Sequence, residues 1–112
     1  YEGVYIENIS FKNKNIILIG EDKETTIIDG NQSGSVIVFE GNETSTARIE
    51  NFTIRNGIAE RGAGINFSYA DANIENCYFI DNTATGAGSH INTCGNNEII
   101  NCSFISISIL FK

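Results

Sequence analysis

The sequence predicts an all-β protein, a parallel β-helix (solenoid) of about four coils with a period of about 25 residues. Three observations carry that prediction. The first is a repeat. Ala47-Arg48-Ile49-Glu50-Asn51-Phe52-Thr53-Ile54 recurs as Ala72-Asn73-Ile74-Glu75-Asn76-Cys77-Tyr78-Phe79, and again as Asn97-Glu98-Ile99-Ile100-Asn101-Cys102-Ser103-Phe104. Ile49, Ile74 and Ile99 form one apolar column, and Ile54, Phe79 and Phe104 form another. The second is composition. Apolar segments are short, rich in Ile, Val, Phe and Thr, and separated by Gly, Asn and Asp, which is a strand-and-turn pattern. The third is that strands of three to five residues are not stable alone, and become so only by stacking at equivalent positions of successive coils.

The elements follow in order. Residues 4–6 and 9–11 are short strands, and 15–19 is an apolar strand ending at Gly20. A polar turn at 21–24 leads to a strand at 25–29. A turn at 30–34 leads to a strand at 35–39, and a polar loop spans 41–46. The repeat then sets one rhythm: a strand at 47–49, a corner at Asn51, a strand at 52–54, a loop at 56–61 and a Gly-led strand at 63–67. The second unit copies it with 72–74, Asn76, 77–79, a loop at 82–86 and a strand at 88–92. Ile28 lies 26 residues before Ile54, and Phe39 lies 28 before Phe67, so the first coil fits the same frame with longer loops.

Asn51, Asn76 and Asn101 have a physical reason to recur. A sharp corner needs a residue that tolerates left-handed backbone angles, and Asn is one of the few. Stacked amides can also hydrogen-bond along the solenoid axis, each bond contributing about 1 kcal/mol net. Cys77 and Cys102 share the apolar slot that Phe52 fills one unit earlier, so they are expected to be stacked core thiols, close enough for a disulfide. Cys94 falls in a turn, where a thiol is accessible.

The 112 residues suffice for one domain, 1–112, expected to be a piece of a longer solenoid. A net charge of -7 argues against nucleic acid and anionic membrane surfaces, which recruit basic patches. No apolar run approaches the roughly 18 residues of a membrane-spanning helix. Three cysteines make a poor disulfide framework.

These residues resemble right-handed parallel β-helix proteins of the pectate-lyase-like superfamily. The second unit is similar to the repeats of polymorphic outer membrane proteins, which pair F-x-x-N with G-G-A-(Ile/Leu/Val). Phe79-Ile80-Asp81-Asn82 matches the first half, while Gly62-Ala63-Gly64-Ile65 and Gly86-Ala87-Gly88 approximate the second. Ile54 replaces the phenylalanine before Asn56. The stretch from Tyr5-Ile6-Glu7-Asn8 to Thr26-Ile27-Ile28-Asp29-Gly30 resembles the first coils of secreted β-helix proteins. The resemblance implies a secreted or cell-surface, adhesin-like or structural module that contacts polysaccharide or a host or neighbouring surface. Its alternative implication is a segment of a polysaccharide lyase or hydrolase whose catalytic coils lie elsewhere.

Superfamily enzymes act on acidic polysaccharides with clustered Asp, Arg or Lys on the outer face of one sheet, some with calcium. With Phe39, Phe67 and Ile91 pointing inward, the outward columns read Val38, Asn66, His90 and Glu40, Ser68, Asn92, one carboxylate without Arg or Lys. A glycosidase needs two facing carboxyls, and no such pair is visible, so no catalytic residue, metal or cofactor is assigned. Asp71 and Asp81 read as solvated turn carboxylates, Asp29-Gly30 as a turn and His90 as a surface imidazole. The glycines at 62/64 and 86/88 precede no helix and do not make a phosphate loop. N-x-(Ser/Thr) occurs at Asn8, Asn31, Asn42, Asn51, Asn66 and Asn101, with Asn31 and Asn42 in loops and Asn51 and Asn101 expected to be buried. Residues 105–111 alternate Ile and Ser before Leu110 and Phe111, a half-buried strand pattern that is expected either to continue into a longer solenoid or to associate end to end with another chain.

Overall fold

The computed structural model describes residues 2–12, 14–41, 46–67, 70–87, 90–92 and 97–105. The chain winds into a parallel β-solenoid of about four coils. A first half-coil contributes β1 (Gly3–Ile6) and β2 (Ile9–Ser10). The first full coil holds β3 (Ile17–Ile19), β4 (Thr26–Asp29) and β5 (Ile37–Phe39). The second holds β6 (Arg48–Glu50), β7 (Thr53–Arg55), β8 (Ile58–Arg61) and β9 (Ile65–Phe67). The third holds β10 (Asn73–Glu75), β11 (Tyr78–Ile80), β12 (Thr83–Ala87) and β13 (Ile91–Asn92). The fourth adds β14 (Ile99–Ile100) and β15 (Ser103–Ile105).

Three long sheets run along the axis. Sheet I is β1-β4-β7-β11-β15, sheet II is β3-β6-β10-β14, and sheet III is β2-β5-β9-β13. Every strand pair is parallel. Among the described residues no helix is long and apolar enough to cross a membrane.

The core is a set of columns, each residue stacked on its equivalent. Leu18, Ile49, Ile74 and Ile99 line sheet II. Tyr5, Ile28, Ile54, Phe79 and Phe104 line sheet I. In sheet III, Phe39 stacks on Phe67 with ring centroids 4.8 Å apart and planes 6° apart, and Phe11 lies against Phe39 at 4.3 Å. Ile49, Ile54, Ile74, Cys77 and Phe79 are all 0% exposed. Ile99 and Phe104 differ, at 37% and 47% exposure, and Cys102 is partly exposed. They belong to the fourth coil, whose strands pair on one side only among the described residues. Burial here comes from the coil on either side, so a coil with one neighbour is half-covered.

Asn51, Asn76 and Asn101 adopt left-handed φ of 64°, 53° and 53° at the corner between sheets II and I. Their amides form a ladder. Asn101 Nδ2 donates to Asn76 Oδ1 at 3.1 Å, and Asn76 Nδ2 to Asn51 Oδ1 at 2.8 Å. Asn51 Nδ2 donates to the Gly20 carbonyl at 3.3 Å. The ladder lies on the outside of its corner, so Asn51 is only partly buried and Asn101 is exposed, against the expectation that both are buried. A second left-handed corner, Asn56 and Asp81, ends the sheet I strands at φ of 58° and 55°.

Asn82, the last residue of F-x-x-N, shows what that motif does. It is 3% exposed and reaches back one coil: its Nδ2 donates to the Ile54 carbonyl at 3.0 Å, and its Oδ1 accepts the Gly57 N–H at 2.9 Å. Asn8, three residues after Tyr5, staples its own neighbour by donating to the carbonyls of Ser33 at 2.7 Å and Ser35 at 3.1 Å. In each case an aromatic residue fills the core column and an amide satisfies backbone groups that the turn would otherwise leave unpaired.

Two readings need correction. The segments read as loops at 56–61 and 82–86 hold β8 and all but the last residue of β12, which pair with each other. These strands are largely exposed, so hydrogen bonding between coils fixes them without an alternating apolar pattern to announce them. The second concerns sheet III. Ile91 pairs with Ile65 and Asn92 with Asn66, a spacing of 26, whereas the glycine pairs 62/64 and 86/88 suggest 24. A bulge between Ala84 and Ala87 adds a residue to the third coil. Ser68, Gly88, Cys94, Asn42 and the alternating tail after Ile105 lie outside the described residues.

Candidate functional site

The corrected register changes the outer face of sheet III. Its central column is Ser10, Val38, Asn66 and Asn92. Asn92 Nδ2 donates to Asn66 Oδ1 at 3.2 Å, and Ser10 Oγ donates to Glu40 Oε1 at 2.6 Å. His90 is not a surface imidazole in that column. It is partly buried in the corner before β13, its ring 6.4 Å from Phe79 and 5.6 Å from Phe104. Burial pushes its pKa down, and the charge of Asp81 opposes the shift. Neutral imidazole is the form this apolar contact favours.

Asp29 is more than a turn residue. It closes β4 at 9% exposure and accepts hydrogen bonds from Arg55 Nε and Asn56 Nδ2, both at 3.0 Å, and from the Asn31 N–H at 2.8 Å. Burial alone raises the pKa of its carboxyl, but those three donors outweigh burial and hold it below the ordinary value. This cluster ties the first coil to the second. Asp81 is exposed at its left-handed corner, and Asp71 is partly buried at the approach to β10. Among the described residues no group of three or more His, Cys, Asp or Glu is placed to hold a metal ion.

The densest polar chemistry flanks the asparagine ladder. On the sheet II side, Glu50 and Glu75 are in register on adjacent strands. The hydrogen bond between their carboxyls raises the pKa of Glu50, partial burial adds to the rise, and Arg48 opposes it from 3.8 Å. Two like charges at one strand spacing repel, and a shared proton relieves that repulsion. The linear sequence does not show this pair as a contact, because the two carboxyls meet only when the coils stack. Its signal is visible in the sequence: Ile-Glu-Asn occurs at 49–51 and at 74–76, one period apart.

On the sheet I side, the long turn before β4 lies over the ladder. Lys23 donates to Asn76 Oδ1 at 3.0 Å and sits 4.6 Å from the centre of the Tyr78 ring. The Thr53 hydroxyl donates to the Lys23 carbonyl and anchors the turn. One corner therefore carries a carboxyl pair and a row of amides, each stepped at the strand spacing of about 4.8 Å, with one ammonium and one phenol beside them. Separately, a cavity of about 260 Å³ opens between the first half-coil and the first full coil, lined in part by Tyr5, Ile9, Leu18, Ile28 and Phe52.

No protein-family model, no curated protein and no solved structure matches this chain. The chain is a parallel β-solenoid of about four coils with a period near 25 residues.

Proposed function

We propose that this chain is a non-catalytic β-helix module, secreted or displayed at a cell surface, whose ladder corner contacts a neutral polysaccharide or the glycans of a host or neighbouring surface. The observation that carries this reading is the corner itself. Glu50 and Glu75 carry acceptors, the ladder of Asn51, Asn76 and the exposed Asn101 runs beside them, and Lys23 and the partly exposed Tyr78 flank the row. Sugar hydroxyls need this mixture of donors and acceptors on a preformed surface. The net charge of -7 disfavours an acidic polymer. The resemblance of Phe79-Ile80-Asp81-Asn82 and its neighbours to pectate-lyase-like and polymorphic outer membrane repeats supports a secreted, adhesin-like role. No single partner is implied by that likeness.

The carboxyl pair favours a second reading, a segment of a polysaccharide lyase or hydrolase. A glycosidase sets its two carboxyls about 5–9.5 Å apart so that the sugar bond fits between them. Glu50 and Glu75 instead stand side by side in register on adjacent strands of one sheet, rather than facing each other across a sugar bond, which fits a binding surface better.

The test is a titration with neutral oligosaccharides and with oligogalacturonate, followed by backbone amide shifts. The module should respond to a neutral glycan at Asn51, Asn76 and Tyr78, and Tyr78→Ala should weaken binding at least tenfold without lowering Tm appreciably. Silence at this corner across the panel would remove the reading. Release of reducing or unsaturated sugars from polygalacturonate, abolished by Glu50→Gln, would replace it with the enzymatic one.

A further inference from the structure

The slot that follows the ladder holds Phe52 in the second coil, Cys77 in the third and Cys102 in the fourth, one residue before β7, β11 and β15 respectively. Phe52 closes the core from one side, and the two thiols continue its column. Cys77 is 0% exposed, Cys102 is partly exposed, and both are free. Ser103 N–H donates to the Cys77 carbonyl at 3.0 Å, which fixes the two backbones side by side. Each Sγ lies 3.3 Å from the carbonyl two residues before it, Glu75 for Cys77 and Ile100 for Cys102. Neighbouring parallel strands are about 4.8 Å apart, inside the roughly 4.4–6.8 Å between Cα atoms that a disulfide spans.

The two sulfurs are not equivalent. Cys102 reaches solvent, whereas Cys77 is enclosed and its Sγ also lies 4.0 Å from the Ile49 carbonyl. The neighbouring Cys102, then burial, pushes the Cys77 thiol up. The neighbouring Cys77, through its side chain and its backbone, and the Lys23 ammonium bring Cys102 down to about 7, against the opposing effect of burial. An accessible thiolate beside a protonated, enclosed thiol is the arrangement that reacts with peroxide and then resolves.

We propose that Cys102 and Cys77 form a dithiol oxidation site whose oxidising substrate is hydrogen peroxide, and that its product is a disulfide joining the third and fourth coils. The Cys102 thiolate sulfur attacks one peroxide oxygen. The O–O bond breaks, Cys102 becomes a sulfenic acid, and the departing hydroxide takes a proton to become water. The Cys77 sulfur then attacks the Cys102 sulfur, its proton leaves with the sulfenic hydroxyl as a second water, and the S–S bond forms. Two thiols lose two electrons in total and one peroxide becomes two waters. In-register Cβ atoms on parallel strands start slightly too far apart, so the coils must draw together.

The experiment uses the full chain carrying Cys94→Ser, treated with hydrogen peroxide and read by intact mass and peptide mapping. The expected product is a monomer lighter by two hydrogens, with Cys77 and Cys102 in one linked peptide pair. Cys77→Ala in the same background should stop at a Cys102 sulfenic acid that dimedone traps, and Cys102→Ala should leave Cys77 unmodified. Thiols that both survive peroxide, Cys102 driven to sulfinic acid beside an untouched Cys77, or a disulfide that joins two copies would each overturn the proposal. If either alanine variant fails to fold, the mapping on the Cys94→Ser protein decides it alone.

Discussion

Replacing Ile74 by aspartate is expected to unfold the domain. Ile74 is 0% exposed and sits between Ile49 and Ile99 in the sheet II column. No basic residue occupies that column, so the new carboxylate would be buried without a partner. Such a group costs several kcal/mol, against a total stability of about 5–15 kcal/mol for a domain. The variant should lose the strand signal in circular dichroism at room temperature. Ile74→Val keeps an apolar side chain in the column and should cost only about 1 kcal/mol. An aspartate variant that melts with the parent would place Ile74 at the surface and undo the coil register.

Gly57→Ala should be the second large effect, through space and not through backbone angle. A Cβ on Gly57 would lie 1.9 Å from the Ala63 carbonyl oxygen and 2.7 Å from its carbon. Both obstacles are backbone, so no side chain can swing away. The same residue donates its N–H to Asn82 and accepts from the Thr83 N–H at 2.9 Å, so moving it also disturbs the link to the third coil. Forced overpacking with lost hydrogen bonds costs on the order of 3 kcal/mol or more. That lowers Tm by at least about 10 °C for a domain of this size. Gly34→Ala is the control. Gly34 has a φ of 80° but nothing within 4 Å of the added carbon, so its cost is only the left-handed strain of about 1–2 kcal/mol. Equal melting of the two variants would show that the close approach at Gly57 is not present in solution.

Most of the coil was legible because sheets I and II keep a strict 25-residue spacing from β6 through β15. Ile49, Ile74 and Ile99 align at that interval, as do Ile54, Phe79 and Phe104. In the first coil Ile28 with Ile54 and Phe39 with Phe67 pair as their apolar character suggests, whereas the stacking of Leu18 on Ile49 has a spacing that the repeat does not announce. Sheet III was misread where the bulge in β12 intervenes. A bulge leaves no mark in an apolar pattern when its residues are Ala, Thr and Gly. The glycine spacing of 24 in place of the actual 26 keeps Ile91 pointing inward but makes His90 a strand residue. The Glu50–Glu75 pair and the reach of Lys23 over Asn76 and Tyr78 depend on stacking across coils, which a linear reading shows only after the register is known. Asp29 looked like a turn because Asp-Gly is a turn signal, whereas its three donors come from the following turn and from β7 with its adjoining corner.

The most direct test of the stacked register is a set of through-space backbone contacts in an isotope-labelled sample. The stacked register predicts contacts between equivalent positions one coil apart, Ile49 with Ile74, Ile74 with Ile99, Tyr78 with Ser103 and Ile65 with Ile91. It also predicts the amide-to-alpha pattern of parallel strands along all three sheets. Close alpha-to-alpha contacts of antiparallel pairing, or a constant offset other than 25 between β6, β10 and β14, would contradict it.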